Sequence, residues 1–107
     1  MKDILLNGFP IATGIIQGKL YYSEAPYSDH PITSDTILVV DYPASTFLRQ
    51  ALQAGGVIAE GGTSMIEMAR HLADIGKPVI FGVGEISVYS GTVTLIVNNF
   101  GSRIEVG

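Results

Sequence analysis

The chain has no cysteine and no tryptophan, and only two histidines among 107 residues. Without cysteine it has no disulfide, no thiol nucleophile and no thiolate metal site. His30 and His71 lie far apart in sequence and suggest no cluster, so no metal is expected. The lack of cysteine fits a cytoplasmic protein. Positive charge is also scarce, with six Lys and Arg against ten Asp and Glu and a net charge of −4. Nucleic acid is recognised through a basic footprint on its phosphates, and an anionic membrane surface through similar clusters. Both are therefore disfavoured as partners. No apolar run is long enough to span a bilayer. The start, Met1-Lys2-Asp3, lacks the basic region, long apolar stretch and small-residue cleavage site of a signal peptide. Linkers, charge runs and repeats are missing too, and the length suits one domain over residues 1–107.

What is present is apolar sequence, 47% of the chain, enough for a core. Ile15 to Tyr22 alternates in part and reads as a strand, and Glu24 to Ser34, with Pro26 and Pro31, reads as a loop. Thr36-Ile37-Leu38-Val39-Val40 is a short apolar run of buried-strand type. Ser45 is placed to cap a helix over 45–54, with Phe47, Leu48, Ala51 and Leu52 on its apolar face and Arg49, Gln50 and Gln53 opposite. Gly55 would close that helix. Gly56 to Ala59 is a second buried strand. Thr63 or Ser64 would cap a helix over 64–75, stopped by Gly76 with Pro78 beyond. Its apolar stripe would be Met65, Met68, Ala69 and Leu72. Pro78 to Phe81 is a third buried strand. Thr92 to Val97 and Arg103 to Val106 suggest a hairpin around Asn98-Asn99 and Gly101. The pattern predicts an α/β fold of three layers: a mixed central sheet, helices on one face and further β structure on the other.

One segment suggests chemistry. Ala59-Glu60-Gly61-Gly62-Thr63-Ser64-Met65 leaves a buried strand, turns through two glycines and meets two hydroxyl residues. Glycines let a ligand approach the backbone, and free N–H groups favour an anion. Gly61, Gly62, Thr63, Ser64 and Met65 are thus a candidate anion-binding loop. A plain strand-to-helix turn with a Ser or Thr cap explains the same residues. No Lys follows Gly62 and no third glycine opens the helix, so neither a Walker loop nor a dinucleotide fingerprint is present.

The order of several short segments resembles the mobile phosphohistidine domain of phosphoenolpyruvate-utilising enzymes. These include phosphoenolpyruvate synthase, pyruvate phosphate dikinase and enzyme I of the sugar phosphotransferase system. Gly8 to Leu20 (GFPIATGIIQGKL) is similar to the family's G-x-x-A-S-x-G-x-x-x-G opening. Asp35 to Val40 is similar to its G-D-I-L-V strand, and Gly55 to Gly62 (GGVIAEGG) to A-x-G-I-V-x-E-x-G-G. Gly76 to Gly82 (GKPVIFG) resembles G-I-P-A-V-V-G, and Gly91 to Val106 the closing hairpin. The resemblance implies a swivelling β/β/α domain. It also implies a His, in G-G-x-T-S-H, that carries a phosphoryl group between two active sites. Neutral imidazole suits that role because it is nucleophilic near neutral pH.

The chain departs from the family at that position. Thr63-Ser64 is followed by Met65, Ile66 and Glu67, and the family's His falls near 65 to 67. On helical spacing His71 lies on the polar side with Glu67, Arg70 and Asp74, where a Glu67–His71 pair is the simplest account of it. Arg70 resembles the Arg of a family A-R pair. Asn98 stands where the family has an Asp. The resemblance therefore implies a non-catalytic relative, not an enzyme on its own and without a cofactor. It would be an accessory or docking domain of a phosphotransferase, with ATP-grasp or pyruvate-binding domains or subunits as partners. Two alternatives remain: a working phosphocarrier that uses His71 or a hydroxyl such as Ser64, and a piece of a larger enzyme that covers its active site.

Overall fold

A computed structural model describes residues 2–86 and 89–106, and no helix among them is long and apolar enough to cross a membrane. Eight strands form one mixed sheet: β1 (Lys2–Leu6), β2 (Phe9–Ala12), β3 (Gly14–Tyr22), β4 (Thr36–Val40), β5 (Gly56–Ala59), β6 (Val79–Phe81), β7 (Thr92–Val97) and β8 (Ser102–Val106). Their order is β1-β8-β7-β3-β4-β5-β6-β2. β3 to β6 run parallel, and the pairs toward both edges are antiparallel.

β4, β5 and β6 are buried throughout, as the unbroken apolar runs require of strands covered on both faces. Alternate side chains divide between two cores. Leu38, Val40, Val57, Ala59, Val79 and Phe81 face the helices, where Phe47, Ala51, Met68, Ala69 and Leu72 meet them. Ile37, Val39, Ile58 and Ile80 face the other way, onto Leu6, Val93, Leu95, Val97 and Ile104 of the antiparallel strands. The parallel strands are thus a middle layer between helices and antiparallel structure. β3 joins the two β regions: Gly14 to Lys19 pairs with β7, and Lys19 to Tyr22 pairs with β4.

The expected strands and the closing hairpin are present, with β1 and β2 in addition. The helices are shorter than the spacing predicts, so strand dominates and the balance is of α+β type. Ser45–Phe47 is one turn of 3-10 helix leading into α1 (Leu48–Gln53), and Ser45 makes no side-chain cap. Gly55 is not in the left-handed region; its N–H donates to Thr36 O at 2.9 Å. Glycine is required there for space, since a Cβ would lie 2.0 Å from Ser34 O and 2.1 Å from Ile16 Cδ1.

The polar side of α1 also differs from expectation. Gln50 is buried and its Oε1 accepts the Ser23 hydroxyl at 2.8 Å, while its Nε2 donates to Ala25 O at 3.3 Å. The amide is satisfied by the loop that follows β3, which is why a polar residue can face inward. Leu52, expected on the apolar face, is half exposed.

Candidate functional site

The Gly61–Met65 loop begins as an extension of the sheet. Glu60 N–H donates to Val40 O at 2.9 Å, and Gly61 N–H to Asp41 O at 2.8 Å. Gly62 then takes a φ of +91°, with Pro43 so near that a Cβ would lie 2.7 Å from its ring. Both the left-handed backbone and the contact demand glycine. Thr63 Oγ1 accepts Met65 N–H at 3.1 Å and closes a local turn. Ile66 is extended, and α2 (Glu67–Leu72) starts only after it.

The structure departs from two expectations at this loop. The second helix does not start at 64 with a Thr or Ser cap, because the Thr63 hydroxyl serves the local turn. Ile66, still extended, packs its side chain against the helix-side core. Nor does Met65 join the apolar stripe with Met68, Ala69 and Leu72: it is 88% exposed. α2 ends at Leu72 with Ala73 still in the right-handed helical region, and Gly76, at φ +74°, turns the chain toward β6.

Among the described residues, the amides of Gly62, Thr63 and Ser64 make no hydrogen bond, whereas those of Gly61 and Met65 are engaged. Ser64 and Arg70 line one cleft of about 220 Å³, floored by Pro10 and Ile11 of β2 and by Ala69 and Ala73. Arg70 has no ion-pair partner among the described residues. His71 is not part of that cleft. Its Nε2 lies 3.4 Å from Glu67 Oε1, an i,i+4 pair with both side chains largely in water, so exposure and screening keep its contribution small. His30 stacks on Tyr21, with ring centroids 3.8 Å apart and planes 5° from parallel. Asn98 closes its own hairpin, its Oδ1 accepting Phe100 and Gly101 N–H at 2.8 Å each. Among the described residues no group of His, Asp and Glu is arranged to hold a metal.

A second cleft, of about 330 Å³, lies at the carboxyl ends of β3, β4 and β5, lined by Tyr22, Ser23, Glu24, Val39, Val40, Asp41 and Glu60. Ligands of open parallel sheets commonly bind at such ends. Two of its polar groups are committed elsewhere. The Tyr22 hydroxyl donates to Ile86 O and also lies 2.8 Å from Tyr89 O, while Glu60 Oε2 accepts Ile86 N–H at 2.9 Å. Burial, and then the Glu60 carboxylate, push the Tyr22 phenol above its ordinary value. These residues hold the segment after β6, with Ile86 buried beneath them. Sequence reasoning passed over both. Tyr22 at the end of an alternating strand and Glu60 just beyond a buried run were the available signals, but nothing local named Ile86 as their partner.

No protein-family model and no curated protein matches the chain.

Proposed function

We propose that the chain is a non-catalytic relative of the phosphohistidine domains: a swivelling β/β/α-type domain that docks on a phosphotransferase without carrying its phosphoryl group. The observation that supports this most is Met65, 88% exposed on the loop where the resemblance sets the carrier His. A thioether cannot take a phosphoryl group, but a flexible, polarisable side chain suits an adaptable contact surface. Tyr42, half exposed, lies beside the same loop, 3.4 Å from where a Gly61 Cβ would stand.

The nearby groups do not replace the His. A phosphoryl acceptor must stand in line with its donor at about 3 to 3.5 Å. Ser64 has no imidazole or other base hydrogen-bonded to it among the described residues, and an unactivated hydroxyl is a weak nucleophile. His71 lies a full turn of α2 beyond Glu67, about 6 Å along the axis, and is paired with that carboxylate. The partners proposed are an ATP-grasp or pyruvate-binding domain. The protein needs no cofactor and is not an enzyme on its own.

A second reading, anion binding, is favoured by the unbonded amides of Gly62, Thr63 and Ser64 beside the cleft that holds Arg70. Phosphate titration followed by amide shifts tests it. Shifts confined to residues 62–64 support it, and shifts elsewhere or none at millimolar phosphate refute it.

The docking reading is tested by calorimetric titration of the chain into isolated ATP-grasp and pyruvate-binding domains of a phosphoenolpyruvate-utilising enzyme. Binding to one of them, weakened about tenfold or more by Met65→Asp because a carboxylate replaces an apolar contact, is the expected result. Binding to neither, or binding indifferent to Met65→Asp, contradicts it.

A further inference from the structure

The two edges of the sheet are built differently. At one edge, β2 carries Pro10, which has no N–H to offer, and its register shifts between Pro10 and Ala12. Both features blunt an edge against added strands. At the other edge, β1 has neither. It pairs with β8 without interruption from Lys2↔Val106 to Leu6↔Ser102, contains no Pro or Gly, and makes no other backbone hydrogen bond among the described residues. Leu5, on its outer face, is 71% exposed. Leu5 is aligned across the sheet with Arg103, Ile96 and Ile15, and Ile15 is 70% exposed. This row crosses the outer face of the antiparallel strands, with Arg103 between the apolar residues and the exposed Leu5 on the open edge.

We propose that β1 takes up a second copy of itself, forming a two-fold antiparallel pair that joins two sheets into one. The occupant follows from self-complementarity. Directly opposed residues of an antiparallel pair lie on the same face, so the axis must pass through a residue position. An axis at Asp3 opposes two aspartates. An axis at Ile4 sets Asp3 against Leu5 of the second copy. An axis at Leu5 opposes the two leucines, sets Ile4 against Leu6, and places Asp3 against the neutral Asn7. Only this last phase matches apolar with apolar on both faces and keeps like charges apart. Arg103 Nε, 3.7 Å from Asp3 Oδ2 and 3.0 Å from Glu105 Oε2, balances the carboxylates beside the joint. The joint is one strand wide, well below the area of a tight complex, so the dimer is weak and forms as concentration rises. This inference does not rest on the docking reading, which concerns the loop after β5.

Sedimentation equilibrium of the intact chain from micromolar to millimolar concentration is the test, with amide exchange recorded in parallel. The expected result is a monomer–dimer equilibrium, with β1 amides exchanging more slowly at high concentration. Leu5→Lys opposes two ammonium groups on the axis and raises the dissociation constant about tenfold or more. Phe9→Lys, on the blunted edge, leaves it unchanged. A monomer throughout the range overturns the proposal. So does a Leu5→Lys variant that dimerises like the parent, or a Phe9→Lys variant that does not dimerise.

Discussion

After β5 the chain passes through Gly61 and Gly62, and after β6 through Gly82 and Gly84. The two exits run side by side, with Gly82 N–H donating to Gly61 O and Gly84 N–H to Glu60 O, each at 3.0 Å. Then they part. The first closes a local turn with one Thr hydroxyl and exposes Met65; the second buries Ile86 and is held by Tyr22 and Glu60. Glycine-rich exits from neighbouring strands thus serve opposite ends. The exit after β6 belongs to the core. Among the described residues, the exit after β5 keeps unbonded amides and an exposed apolar tip, and stays open to solvent.

The largest effect expected from this contrast is at Ile86. Ile86→Ala empties a buried site and should destabilise the fold by about 2 to 4 kcal/mol, read from urea unfolding. A loss under about 1 kcal/mol would mean that the segment after β6 is as loosely held as the loop after β5. Next comes Tyr22→Phe, which removes the donor to the Ile86 and Tyr89 carbonyls and should cost about 1 to 2 kcal/mol.

The pH dependence sharpens the same point. The folded-state value of Tyr22 is raised, so its contribution is fully present below the ordinary phenol value of about 10. It is lost as pH climbs from there through the folded-state value. Ionisation removes the donated proton and sets a phenolate beside Glu60. The parent should therefore lose more stability above about pH 10 than Tyr22→Phe does, and parallel curves for the two proteins contradict the assignment. The smallest effect is at the tip: Met65→Ser, at an exposed site, should change stability by no more than about 0.5 kcal/mol. A large loss there would show that Met65 packs against the fold.

The three parallel strands were legible because β4, β5 and β6 are short, almost wholly apolar and rich in Val and Ile, and two stretches of mixed polarity separate them. It did not show where the helices begin. Thr63 looks like a cap in sequence, but its hydroxyl accepts Met65 N–H in a local turn, and Ile66 stays extended against the helix-side core. Gln50 looked solvent-facing because the helical pattern cannot show that Ser23 and Ala25, far earlier in the chain, satisfy its amide. β2 was hidden by Pro10, which reads as loop until an edge position makes it tolerable. Of the candidate site, the glycine turn was legible from its residues. The cleft joining Ser64 to Arg70 depends on β2 and was not.

The central question is whether the loop after β5 can receive a phosphoryl group. Incubation of the chain with phosphoenolpyruvate or ATP and the catalytic domains of a phosphoenolpyruvate-utilising enzyme, followed by mass spectrometry under non-acidic conditions, tests this most directly. No phosphate should appear on any residue. A phosphoramidate on His71, or a phosphate ester on Ser64, would contradict the non-catalytic reading and make the chain a carrier.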